Sequence, residues 1–297
     1  MKDYLILLSG SPRGGLPTWK SLVKYVKKPL DADLALLYGD IFEIPEFLLE
    51  HTKFNWKFEE PKNWRHFYED NFKSSNALDF LLRGQELGMA GGIDNHTGSG
   101  AIVTGFKIIA YNNYLNEILD YKYVIHSRFD QFYTDYHPKL EGDNIWIPEG
   151  EDYFGICDRH AIVPNKYIDK YFSISEFLDN KEANNEMNNK EIAPESIFLE
   201  HLKFQNLGSS IERIKRFQFT SATVSDSTRW RKAIYRLHFS RKIMIKYPDE
   251  FLVAIKNSLE KNKLLYIFKH PIFSLNFFYL ELRKILGRIL SRKKWNL

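Results

Sequence analysis

Tyr123-Val124-Ile125-His126-Ser127-Arg128-Phe129-Asp130 is the stretch that decides how this chain is read. An apolar run is cut off by histidine, arginine and aspartate, the pattern of a short buried strand that stops at a polar edge. A second such stretch follows: Ile145-Trp146-Ile147-Pro148-Glu149-Gly150-Glu151-Asp152-Tyr153-Phe154-Gly155-Ile156-Cys157-Asp158-Arg159-His160. In open α/β sheets, chemistry collects where the strands end. Here the predicted ends carry Asp, Glu, Arg and His together, which suits a divalent metal, a diphosphate and a proton acceptor.

Outward from that stretch the same signals recur. Residues 4–9 read as a first buried strand, followed by a Gly- and Pro-rich turn at 10–17 and a helix over 18–26. Residues 33–38 repeat the strand signal and end at Gly39-Asp40. The alternation predicts βαβ units and a largely parallel sheet. Residues 51–97 show no clean period and receive no assignment. Gly98-Ser99-Gly100 opens a helix to about Leu119, with Ser99 as N-cap and Ile102, Phe106, Ile109 and Ile118 on one face. Residues 179–191 are Asn-rich and poor in apolar side chains, which predicts a mobile loop. Pro194-Glu195 reads as the first turn of a helix reaching Phe204. From about Ser227 strand signals vanish and basic helical patterns take over, so the expected division is 1–226 and 227–297.

Within residues 276–294, Phe278, Leu282, Ile285, Leu286 and Ile289 share one helical face, and Arg283, Lys284, Arg288, Arg292, Lys293 and Lys294 crowd the rest. Such a helix suits an anionic membrane surface. It equally suits a tail helix packed on the preceding domain with its charges solvated.

A chain of 297 residues can bury a full core. Its 44% hydrophobic and 27% charged residues place it among folded globular proteins rather than disordered ones. Aromatic residues make up 15%, a level met either by sugar- or nucleotide-lining side chains or by core. The net charge of +4 is spread along the chain until its end, so no nucleic-acid partner is expected. Cys157 is the single cysteine, which excludes an intramolecular disulfide framework and a cysteine-rich zinc site and fits a reducing compartment. The first apolar run is too short for a signal peptide, and no run reaches spanning length. A cytoplasmic location is expected, at the inner face of the membrane if the basic helix binds lipid.

Several residues have the chemistry of a site. Gly10, Arg13, Gly14 and Gly15 follow the first strand; glycines admit a phosphate to the backbone and an arginine grips diphosphate oxygens, although the turn lacks the spacing of a Walker motif. Asp130 offers a hard oxygen ligand for Mg²⁺ or Mn²⁺, and Arg128 either neutralises a phosphate or pairs with Asp130. His126 alternates with Arg128 and reads as a core or supporting residue. Asp158, beside Arg159 and His160, could accept a hydroxyl proton or anchor sugar hydroxyls. Glu195 is a second candidate base, one that the helix N-terminus is expected to keep ionised.

Taken in order, these segments resemble the GT-A-type nucleotide-sugar glycosyltransferases of surface-polysaccharide and lipopolysaccharide synthesis, the WavE-like proteins in particular. The likeness rests on Ser9-Gly10-Ser11-Pro12-Arg13, Gly98-Ser99-Gly100-Ala101-Ile102, the 123–130 stretch and the 146–160 stretch, and it covers about residues 1–205. It implies an α/β nucleotide-binding sandwich, a mixed and mostly parallel sheet flanked by helices, with the helical C-terminal part as an extension. Arg128-Phe129-Asp130 stands where the family has its Asp-any-Asp metal motif, with arginine in place of the first acid, so Asp130 remains as the ligand for Mn²⁺ or Mg²⁺.

The resemblance also implies a nucleoside diphosphate sugar as donor, held by Gly10, Arg13 and Arg128, and a glycan or glycolipid acceptor. Glu151, Asp152, Arg159 and His160 would contact that acceptor, and Asp158 or Glu195 would take its proton. Two other readings stay open from the residues alone. One is a metal-dependent phosphohydrolase. The other is a noncatalytic membrane-surface assembly protein on a degenerate transferase fold.

Overall fold

The computed structural model describes residues 2–72, 74–86, 93–94, 99–188, 190–223, 226, 235–236, 243–261 and 263–294. The strands are β1 (Tyr4–Ser9), β2 (Asp33–Gly39), β3 (Phe54–Phe58), β4 (Tyr123–Arg128), β5 (Gln131–Tyr133), β6 (Ile145–Pro148), β7 (His160–Pro164), β8 (Ile211–Ile214), β9 (Gln218–Ala222), β10 (Tyr235–Arg236) and β11 (Met244–Ile245). The chain divides into two compact units that interleave in sequence: Met1–Pro12, Leu30–Arg128 and Lys139–Ile214 form the first, and Arg13–Pro29, Phe129–Pro138 and Lys215–Leu297 the second.

The first unit is built on a seven-stranded sheet of order β3-β2-β1-β4-β7-β6-β8. Neighbours are parallel except at β7, which runs antiparallel to both β4 and β6. This is the expected α/β architecture, a mixed and mostly parallel sheet with helices flanking it. All six residues of β1 and the last six of β2 are buried, which is why these segments read as apolar runs instead of alternating. Register aligns Ser9 with Arg128 across β1 and β4, and Ser127 with His160 across β4 and β7. The carboxyl ends of β1 and β4 and the amino end of β7 therefore meet at one edge.

Residues 51–97, left unassigned from sequence, contain β3 and the helices Trp64–Asn71 and Asn76–Glu86. The absence of a clear period follows from what those segments bury. Trp64 and Tyr68 are fully buried, and Trp56 stacks on Tyr114 at 4.5 Å. The high aromatic content is thus largely core in this unit. Helix Ser99–Leu119 matches the predicted span; Gly98 lies outside the described residues.

The predicted mobile loop at 179–191 is corrected by helix Lys181–Glu186. The Asn180 side chain caps it by accepting from Ala183 N at 2.9 Å, and Asn184 Nδ2 donates to Leu178 O at 2.8 Å. Ala183 and Met187 supply buried apolar contacts, so the asparagines satisfy backbone groups rather than disorder them. Helix Pro194–Phe204 has the predicted bounds.

The second unit holds an antiparallel sheet of order β10-β11-β9-β5. Its core comprises Phe132, Phe219, Ile245, Phe251, Ile255 and neighbouring apolar residues. The helix expected over 18–26 runs as Gly15–Leu22 and continues as a π-helical turn, Val23–Lys27. Past residue 227 the expectation of helices alone is corrected. β10 and β11 form two-residue strands that attach to β9, too short to leave a period-two signal. Helices Pro248–Lys261, Lys263–Lys269 and Pro271–Lys294 follow.

Candidate active site

In the first unit the polar edge of the sheet carries a buried charged cluster. Arg159, the residue before β7, donates from Nη2 to Glu195 Oε1 at 3.1 Å and from Nη1 to Glu151 Oε2 at 3.5 Å. All three side chains are at least nine-tenths shielded from solvent. Glu195 is there because Pro194 starts its helix, and Ile156 N donates to the Glu195 carbonyl at 3.1 Å. Burial and the charge of Asp158 push the Glu195 carboxyl up to about 8, against the pull of Arg159 and Arg128. The expectation that the helix start keeps Glu195 ionised is corrected: desolvation and a like charge outweigh a terminal dipole.

The loop before Arg159 is held in an unusual backbone shape. Glu151, Tyr153 and Phe154 have φ of 58°, 33° and 68°, in the left-handed region that non-glycine residues enter at a cost. Asp152 fixes the loop: its carboxylate accepts from Cys157 N at 3.0 Å and from Arg213 at 2.9 Å, and its carbonyl accepts from Gly155 N at 2.7 Å. Gly155 is obligatory, because a Cβ there would stand 2.0 Å from the Glu195 carbonyl oxygen. The Tyr153 hydroxyl donates to Glu151, and the Arg159 guanidinium lies 5.3 Å from the Tyr153 ring centre. Phe154 is left exposed.

Behind the charged edge lies a second polar layer. His126 bridges Ser9 Oγ, 2.8 Å from Nε2, and the Tyr171 hydroxyl, 3.0 Å from Nδ1. Burial, with Lys107 adding to it, holds His126 well below its ordinary value, so it stays neutral and supports β1 against β4. This is the supporting role expected for it. His160 sits 3.3 Å from Ser127 Oγ and is almost fully buried. Gly10, at the end of β1, has φ of 113° and donates to Leu37 O at 3.1 Å. Arg128 ends β4, where its charge acts on Glu195.

Sequence reasoning passed over two residues of this unit. Lys107 is fully buried on helix Ser99–Leu119 with no hydrogen-bond partner for Nζ, which lies 3.8 Å from the Phe198 ring centre and 4.8 Å from that of Tyr171. Burial lowers its pKa to about 8, and the charge of Asp158 works against that fall. A lysine inside the apolar run Phe106 to Ile109 was the available signal. Glu60 packs against Gly39 at the end of β2, where a glycine Cβ would meet its Oε2 at 1.9 Å. Burial, with the Asp40 charge, pushes Glu60 up to about 7. Nothing local in the sequence sets it apart.

The second unit holds Arg13 and Asp130. The glycine turn is strained by design of its contacts: Gly14 and Gly15 have φ of 98° and 75°, and a Cβ on Gly14 would stand 3.0 Å from Asp130 Cα. Asp226, which sequence reasoning also missed, accepts from Gly14 N at 3.0 Å and from Thr223 N at 2.7 Å. The Asp130 carbonyl accepts from Ser221 N at 2.8 Å, and the residue is buried. The turn and Asp130 are therefore brought together within this unit. Among the described residues no three His, Cys, Asp or Glu side chains group as metal ligands. Asp130 fits only an ion whose other ligands are water and phosphate oxygens, as Mg²⁺ and Mn²⁺ accept.

The chain matches no protein-family model and no curated protein sequence. Among solved structures it is similar to mouse xyloside xylosyltransferase 1 in its apo form, with a TM-score of 0.39 and 10% identity over 71% of this chain and 84% of that one. At that distance no property of that enzyme is transferred to this chain.

Proposed function

We propose that the protein is a glycosyltransferase that moves a sugar from a nucleoside diphosphate sugar to a hydroxyl of a glycan or glycolipid, in the synthesis of a surface polysaccharide. The observation that carries this reading is the buried Glu151–Arg159–Glu195 cluster at the polar sheet edge, with a carboxyl tuned to about 8. A proton acceptor works best when its pKa lies near the operating pH. In the reaction the acceptor oxygen bonds to the anomeric carbon and gives its proton to Glu195, with Asp158 as the neighbouring carboxylate that raises proton affinity. The bond between the anomeric carbon and the diphosphate oxygen breaks, and the nucleoside diphosphate leaves with the electron pair.

Gly10 and Arg128 are assigned to the diphosphate, and in the second unit Arg13 has the same assignment. Asp130 would hold the Mn²⁺ or Mg²⁺ ion, which when bound supplies positive charge to the leaving diphosphate. Arg159 orients Glu195 and Glu151, and with His160 it is assigned to the acceptor side. Asp152 contributes by fixing the loop that presents the exposed Phe154. An acceptor carried in a membrane would bring the protein to an anionic lipid surface, which the C-terminal helices suit.

Turnover of a panel of nucleotide sugars with Mn²⁺ tests the reading. Wild-type kcat/KM should rise with pH toward about 8. Glu195→Gln should lose that limb and fall by about 10²–10⁴-fold. Asp130→Ala should lose the stimulation by Mn²⁺. Full turnover in both variants would remove these residues from the mechanism.

A further inference from the structure

Helix Pro271–Lys294 has two apolar faces. Phe273, Phe277 and Leu280 pack into the core of the second unit. Leu275, Phe278, Leu282 and Ile285 recur at three- and four-residue spacing on the other side and are exposed. The tail helix is therefore docked through one face while the other remains uncovered. The preceding helix Lys263–Lys269 adds Leu264 and Phe268, which are 82% and 85% exposed. Scattered apolar side chains on a surface mean little, but a run over two consecutive helices marks an interaction surface.

Charge selects the occupant. Residues 263–294 carry eight Lys or Arg against a single acid, Glu281, in a chain whose total charge is only +4. A second copy docked through the same surface would bring two such excesses together. A bilayer of anionic lipid offers phosphates for the cations and acyl chains for the leucines and phenylalanines. Among the described residues no helix is long and apolar enough to cross a membrane. We infer that helices Lys263–Lys269 and Pro271–Lys294 lie flat on an anionic membrane surface, with Leu264, Phe268, Leu275, Phe278, Leu282 and Ile285 inserted below the headgroups. This inference does not depend on the transferase reading, since it concerns the lipid surface and not the reaction.

Co-sedimentation of the full chain with vesicles tests it. Binding should be strong to phosphatidylglycerol-containing vesicles, weak to pure phosphatidylcholine, and reduced by added salt. Leu264→Ser combined with Phe268→Ser should weaken binding by about tenfold or more while leaving the thermal midpoint in place, since both side chains are already in water. Phe278→Ser provides the same readout from the second helix. Equal binding to both vesicle types, no binding, or unchanged binding by both variants would overturn the inference. So would a dimer in sedimentation equilibrium that the paired variant dissolves, because the occupant would then be a second copy.

Discussion

Glu195 and the buried histidines set opposite pH dependences, and their signs can be worked out separately. The Glu195 carboxyl in the folded chain titrates at about 8, against 4.5 for an ordinary glutamate. Between those values the folded state keeps a proton that the unfolded chain has released, so stability falls as pH rises toward 8. His137 and His201 are held down to about 4 and about 3 by burial, and His126 lies well below its ordinary 6.5. Those groups take up protons only on unfolding, so their contribution is lost as pH falls below 6.5. Stability should therefore peak close to pH 6.5. From there to pH 8 the loss through Glu195 should be about 2 kcal/mol. Denaturant unfolding of Glu195→Gln should lack the loss that Glu195 supplies across that window, leaving the smaller contributions of Glu60, Lys107 and the histidines. A slope equal to wild type would mean that the carboxyl is not held protonated.

At this scale the sequence exposed identities but not environments. Asp158, Arg159 and Glu195 could be picked out because charged residues next to apolar runs stand out. The direction of the Glu195 shift could not, because it depends on burial and on Asp158, which is distant in sequence. Lys107 shows the same limit from the other side, an ordinary helical lysine until Phe198 and Tyr171 enclose it.

Among the elements, legibility followed how much of a segment's burial was local. β1, β2 and β4 could be read because both faces are covered and the apolar run is continuous. Helix Pro194–Phe204 announced its start with proline. Helix Lys181–Glu186 did not, since its stability comes from a side-chain cap and from Asn184 contacts to Leu178 and Asn76. β10 and β11 owe their existence to pairing with β9 and carry no pattern of their own.

β9 itself is tied down by an ion pair invisible to any periodicity. Arg216 Nη1 donates to Glu250 Oε1 at 3.2 Å, with both side chains essentially out of solvent. The second Glu250 oxygen accepts from Thr220 N at 2.6 Å, and Asn257 Nδ2 donates to Arg216 O at 3.0 Å. Glu250→Ala strands a buried guanidinium and a strand amide, so it should lower unfolding free energy by about 3–5 kcal/mol. A loss below about 1 kcal/mol in a denaturant titration would show that water replaces the carboxylate there.

For the whole molecule, the mixed and mostly parallel α/β class was readable from the alternation of strand and helix signals, whereas the strand order was not. The interleaving of two compact units was a matter of long-range contact. Residues 13–29 and 129–138 belong with the C-terminal third although each is continuous with a strand of the first unit. That arrangement places Arg13 and Asp130 in one unit and Arg128, Asp158 and Glu195 in the other. The most direct measurement is thermal unfolding of the full chain with UDP, GDP, CDP or dTDP, each with and without Mn²⁺. A ligand that binds only the folded state raises its midpoint, by several degrees when present far above its dissociation constant. One of the four should do so, more strongly with Mn²⁺, and the Mn²⁺ increment should vanish in Asp130→Ala. No shift with any of them, with or without the ion, would contradict the account.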